Sequence, residues 1–196
     1  MNKKAEKILS KTTDLFIKSG IKKITMDEIA KNSNVSKVTI YKYFTDKETL
    51  CMNISKYIFS HYKIELNNIV DLNIPISDKL YSCLGIVSEF VNSNKFALCD
   101  ELSKYSDEVQ VEYEMYLKIY KNTIMNLIES GKENMLIRKD VDSNMIFYYI
   151  DMGIVYYQQN SEYRNKMLNE NDFKKNFLLF IINGIFVEGQ KLLDER

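Results

Sequence analysis

Three residues able to cap the start of a helix follow one another closely in TMDEIAKNSNVSKVTIYKYFTDK: Thr25, Ser36 and Thr45. Thr25 and Thr45 each have a glutamate three positions on, Glu28 and Glu48, so side chain and backbone can satisfy each other's free N–H groups. Helix starts this close together leave room only for short helices and tight turns. Asn32-Ser33-Asn34 supplies one such turn, with Asn34 able to take the left-handed backbone that a β-branched residue resists. The helix before it turns Met26, Ile29 and Ala30 inward. The helix after it, capped by Ser36, shares a buried face between Ile40 and Phe44, with Val35 just ahead. Lys37, Val38, Tyr41 and Lys42 lie on a different face. Upstream, Ala5, Ile8, Thr12, Leu15 and Phe16 make one stripe of a helix over 3–18. Gly20 ends it, and Ile21 is expected to fold back towards Phe16.

Two lysines in this stretch stand against helix electrostatics. Lys37 and Lys47 fall in the first turns of the third and fourth helices, where the dipole is positive and a cation loses roughly 0.3–1 kcal/mol. A nearby anion reverses that sign, and a helix N-terminus is itself a phosphate site. One lysine alone is explained by a long side chain bending into water; two in this setting point to DNA phosphate. The charge distribution agrees. The chain is neutral overall, with 27 basic and 27 acidic residues, yet residues 1–50 hold 11 lysines against 6 acidic residues. A basic first quarter on an acidic body suits a polyanion partner.

Beyond residue 50 the pattern reads as helix after helix, over 46–68, 77–93, 95–104, 107–132, 142–160 and 171–192. One proline and six glycines in 196 residues leave few breakers. Ser77, after Pro75, is a candidate cap, and Gly131 to Val141 a loop. Residues 145–157, MIFYYIDMGIVYY, and 177–187, FLLFIINGIFV, are apolar nearly all round. Such helices must be covered all round. Either one large core covers them, or a second copy does; a symmetric four-helix bundle is the simpler solution. Met152, Gly153, Tyr156, Phe177, Phe180, Ile181 and Gly184 are the expected dimer contacts. Between these elements, Phe90, Phe96, Tyr113, Tyr116 and Tyr120, with Asp100 and Glu101 nearby, form an aromatic and acidic set. It is either core or a seat for a lipophilic, cationic ligand. Asp151, a lone carboxylate in an apolar helix, needs a partner: a ligand, a lysine or the other subunit.

Other chemistries find no support. Cys51, Cys83 and Cys99 lack zinc spacing and read as reduced thiols of a cytoplasmic chain. His61, the single histidine, stands at no catalytic or metal-ligand spacing in the sequence and reads as a helix-face residue, and no glycine-rich phosphate loop is present. No metal or cofactor is expected, and no enzymatic activity. No signal peptide is visible after Lys3 and Lys4, and the longest apolar run is shorter than the ~20 residues of a membrane span.

The residues Ile8-Leu9, Leu15-Phe16, Gly20, Thr25, Ile29-Ala30, Val35-Ser36-Lys37, Tyr41-Tyr43-Phe44, Lys47 and Leu50 together resemble the TetR family of bacterial transcription regulators. The resemblance implies an all-α fold, with a helix-turn-helix DNA-binding domain over 1–46 and a helical effector-binding and dimerisation domain over 47–196. It implies that Thr25, Ser36, Tyr41, Tyr43 and Lys47 hold phosphates, which sets register and carries no sequence information. Lys37 is then placed to donate to guanine and Val38 to pack on a thymine methyl, with Thr39 and Lys42 open to either role. Tyr41 is also readable as core, since it borders Ile40 and Phe44. Two positions depart from the family pattern: Asn34 replaces a usual glycine, and Val38 a commonly smaller residue. The implied function is a dimeric repressor, released from an inverted-repeat operator by a small lipophilic effector. A constitutive DNA-binding protein without a pocket, and a helical enzyme or interaction module that has lost DNA binding, are the competing readings.

Overall fold

In a computed structural model, residues 2–104 and 106–187 are described. They form ten α-helices: α1 Lys3–Ser19, α2 Met26–Ser33, α3 Lys37–Tyr43, α4 Lys47–Asp71, α5 Ile76–Asn92, α6 Lys95–Ser103, α7 Asp107–Glu133, α8 Ser143–Gln159, α9 Ser161–Asn169 and α10 Asn171–Ile185. The fold is all-α, with an N-terminal helix-turn-helix and a helical C-terminal part. Among the described residues no helix is long and apolar enough to cross a membrane.

The chain divides into two compact units. One comprises the residues up to Ile64 together with Phe90–Lys118; the other comprises Glu65–Glu89 and the chain from Ile119 onward. In the first unit, α1 presents Ala5, Ile8, Leu9 and Phe16 to the core, and its buried Thr12 and Thr13 return their hydroxyls to the carbonyls of Ile8 and Leu9. That back-bonding satisfies polar groups that burial would otherwise penalise. Gly20 takes φ 77° and donates its N–H to the Phe16 carbonyl, as a helix C-terminus requires. Ile21 is buried as expected.

The second unit has its own core, including Leu66, Leu80, Cys83, Val87, Ile124, Ile128, Ile137, Ile146, Ile150, Ile181 and Ile185. Burial pushes the Cys83 thiol up to about 11. In the first unit burial likewise lifts Cys51, to about 12, and raises Cys99. A neutral thiol is a small apolar side chain, and all three cysteines are free and buried.

Five local expectations need correction. A further helix, α9, fills residues left as a connection; Asn160 caps it by accepting from the Tyr163 N–H at 2.8 Å. The last helix, expected to reach 192, stops at Ile185. Phe186 then pairs with Ile137, through Arg138 N–H to Ile185 O and Val187 N–H to Leu136 O. Backbone groups that would have continued the helix are satisfied by that pairing. Residues 188–192 of the expected helix lie outside the described residues. Ser77 is not a cap: α5 begins at Ile76, where Asp78 and Lys79 donate to the Pro75 carbonyl. Thr45 is not the cap of α4 either. Asp46 is, its carboxylate accepting from Thr49 N–H at 2.7 Å.

Gly131, expected in a loop, belongs to the last turn of α7. Its carbonyl accepts from both Leu136 and Ile137 N–H, and a Cβ at Gly131 would come within 2.6 Å of the Ile137 side chain. Ile137 is fully buried. Gly131→Ala is therefore expected to destabilise the chain by about 1–3 kcal/mol through forced repacking. A lower urea midpoint at unchanged slope is the signature to look for.

Candidate nucleic-acid interface

The helix-turn-helix is built as its caps dictate. Thr25 Oγ1 accepts from the Glu28 N–H at 3.3 Å and donates to the Glu28 carboxylate, which also accepts from the Thr25 N–H at 2.7 Å. Those bonds hold the Glu28 carboxyl below its ordinary range. Asn34 takes φ 56°, ψ 50° and closes the turn, its N–H reaching the Lys31 carbonyl. Asn32 ties the end of α2 to α1 by donating to the Lys11 carbonyl at 3.0 Å. Ser36 then caps α3: its hydroxyl accepts from the Thr39 N–H and shares a 2.9 Å bond with the Thr39 hydroxyl.

This framework puts α3 at the surface. Ile40 and Phe44 are buried beneath it. Val38 is 80% exposed and Tyr41 43% exposed, so Tyr41 is not a core residue. Lys42 is exposed, and Tyr43 is half-buried with its ring against Phe44.

Both misplaced lysines find compensation inside the chain. The Lys37 ammonium contacts both oxygens of Asp27, at 2.7 and 3.0 Å. The hydrogen bond, then the opposite charge, raises the lysine's proton affinity. Lys47 turns inward and donates to the Ile21 and Ile24 carbonyls, each at 2.6 Å. An ammonium has three donors, so one remains for an anion. The expected electrostatic deficit is thus met by a carboxylate and two carbonyls, without DNA.

The family model for bacterial regulatory proteins of the tetR family matches residues 8–51, spanning α1 to the start of α4. Over those residues the chain is similar to the TetR family. It is 30% identical over 91 residues to an uncharacterised HTH-type transcriptional regulator, YhgD, of Bacillus subtilis (strain 168), covering 46% of this chain and 48% of that protein. It therefore spans about half the length of the curated relatives it matches. The fold is similar to that of a TetR family protein from Vibrio parahaemolyticus, with a TM-score of 0.67, 18% identity and coverage of 94% and 100% of the two chains. It is likewise similar to AibR, solved with isovaleryl coenzyme A and operator DNA, with a TM-score of 0.65, 17% identity and coverage of 93% and 95%.

The remaining expected sites fall into three places. Phe90, Phe96, Tyr113 and Tyr116 pack ring against ring with Phe59 and Tyr62 in the first unit, and Phe59 stacks on Tyr116 at 4.9 Å. Burial first, then Asp100, lifts the Tyr113 phenol to about 12. Tyr120 belongs to the second unit, against Phe147. Asp151 lines an open groove of about 590 Å³ along α8, α9 and α10, together with Tyr149, Gly153, Tyr163, Phe177 and Ile181. Desolvation raises its carboxyl, opposed by Lys121, whose ammonium stands over the Phe147 and Tyr148 rings.

The expected dimer contacts also divide. Ile181 is buried and Phe177 packs against the same core, with its ring against Gly153, where an added Cβ would lie 3.3 Å away. The close approach allowed by Gly153 is thus made within one chain. Met152, Tyr156, Phe180 and Gly184 face outward. Met145, Tyr148, Met152 and Tyr156 form one exposed stripe along α8, at the i, i+3, i+7, i+11 spacing of a single helix face.

Proposed function

We propose that the chain is a sequence-specific DNA-binding transcriptional regulator, acting as a dimeric repressor on an inverted-repeat operator. The carrying observation is Val38. It is 80% exposed in the first turn of a capped, rigidly seated α3, and water gains nothing from an apolar side chain there. A thymine methyl in the major groove does. Lys37 stands beside it for a guanine edge. Thr39, Tyr41, Lys42 and Tyr43 flank them along α3, with Ser36 and the remaining donor of Lys47 available to phosphates; Thr25 reaches a phosphate only when one of its two donors leaves Glu28.

In this reading residues 1–46 are the DNA-binding part and 47–196 the dimerisation and effector part. The outward face of α8 and α10 seats a second copy, so the Asp151 groove is closed by the partner chain. Two α3 helices about 34–36 Å apart then meet successive major grooves on one side of the duplex. A small lipophilic effector completes the proposal, wedging among the rings around Phe90, Phe96, Tyr113 and Tyr116. It acts only by binding the DNA-competent and released states unequally. The fold's occurrence with both an acyl-coenzyme A and operator DNA in AibR supports such a pairing of sites.

Selection of bound sequences from random duplexes at two salt concentrations tests the reading. Enrichment of an inverted repeat is expected, with Lys37→Ala and Val38→Ala each losing preference at one base pair per half-site. Recovery of no sequence preference sinks it. DNA affinity that no compound of a broad lipophilic panel changes sinks the effector half alone.

A further inference from the structure

Asp27 sits in the first turn of α2, and Lys37 in the first turn of α3. Neither helix nor turn needs this carboxylate for its own capping: Thr25 and Glu28 cap α2, and Ser36 caps α3. The pair is bidentate and largely exposed, with the two side chains 59% and 64% accessible. An exposed pair of this kind adds little to stability. It does, however, place an anion on the face that the proposed function turns towards a polyanion. It also occupies the one cation in the first turn of α3.

We propose that Asp27 is a specificity-determining residue, which holds Lys37 back from phosphates and releases it to a matching base edge. This inference rests on the DNA-binding reading above. While paired, Lys37 contributes no net charge, so a random duplex gains no counterion release from it. The carboxylate in turn is repelled by any phosphate that approaches Lys37. A guanine offers two acceptors, O6 and N7, that replace the two Asp27 oxygens without adding a formal charge next to the carboxylate. The clamp therefore penalises backbone contact more than base contact. The local sequence supports the same division of labour. Val38, beside Lys37, can only read an apolar group, and the Thr39 hydroxyl is bonded to Ser36, so Lys37 is the first-turn side chain left to read a polar base edge.

The test uses the full chain, with Asp27→Asn, Lys37→Ala and the double variant. Affinities are measured for the selected operator and for a scrambled duplex of equal length and composition, at 0.1 and 0.3 M KCl. Asp27→Asn is expected to bind the scrambled duplex about five- to tenfold tighter at 0.1 M salt, with the salt slope steeper by about 0.9, as one added phosphate contact requires. Operator affinity gains less than twofold, so the ratio between the two falls. With Lys37 already alanine, Asp27→Asn leaves that ratio unchanged. Equal gains on both duplexes, or the same loss of ratio with and without Lys37, overturn the proposal: Asp27 is then only a background negative charge. If the unmodified chain selects no sequence, the DNA-binding reading itself falls. A selected operator with an unaltered Asp27→Asn ratio removes this inference and leaves that reading intact.

Discussion

Lys47→Ala is expected to destabilise the first unit by roughly 2–4 kcal/mol, a large effect for one surface-reaching lysine. The side chain delivers two charge-assisted bonds at 2.6 Å to the carbonyls of Ile21 and Ile24, the segment that joins α1 to α2. Bonds to a charged donor contribute about 1.5–3 kcal/mol each, and carbonyls left without a partner add a desolvation cost. The stem of Lys47 also lies near the Phe16 ring, with the ammonium 6.0 Å from its centroid. Lys47→Met keeps the stem and removes the donors, so comparing the two variants by urea unfolding separates packing from hydrogen bonding. Near-equal losses place the effect in the carbonyl bonds. Unchanged midpoints for both refute the structural role. Under conditions where the variant is folded, DNA affinity is expected to fall alike for all sequences, with the salt slope reduced by about one phosphate contact.

Met152→Glu is expected to weaken self-association by at least a hundredfold. Met152 is 62% exposed at the middle of the α8 stripe, between Tyr148 and Tyr156. If a second copy covers that stripe, a carboxylate there enters the interface unpaired and beside Asp151, whose carboxyl desolvation already raises against the pull of Lys121. An uncompensated buried charge costs about 3–5 kcal/mol, roughly two to three and a half orders of magnitude in the association constant. Sedimentation equilibrium at micromolar chain is expected to give dimer for the unmodified protein and monomer for the variant. Affinity for an inverted repeat should fall with it, while the salt dependence per chain stays. A variant that remains dimeric rules out this face as the interface.

What could be read from the sequence was local. Thr25 and Glu28 sit three residues apart, and Asn34 lies at the end of a short helix, so their bonds and the left-handed turn follow from neighbours along the chain. The same holds for Gly20 and for the exposed face of α3. What escaped was decided by residues far away in sequence. Lys37 and Lys47 look unpaired in the sequence because their partners are Asp27 on another helix and the carbonyls of the segment that joins α1 to α2. The end of α10 was misplaced because the apolar run continues through Phe186, whereas pairing with Ile137 stops the helix. α9 carries no buried residue, so its sequence shows no stripe; Asn160 and the Tyr163 ring, packed on Phe173 and Phe177, hold it. The aromatic set around Tyr116 was legible as one face of a helix, but only the folded chain shows that its rings meet those of Phe59 and Tyr62.

The sealed thiols give the protein a built-in clock. Cys51 and Cys99 lie in one compact unit and Cys83 in the other, each buried and held protonated by its surroundings. An alkylating reagent can reach them only when the surrounding helices part. Mass-resolved labelling in native buffer would therefore time the opening of each unit separately, with no residue replaced. Bound operator should slow the Cys51 and Cys99 signals first, and a covering partner chain the Cys83 signal.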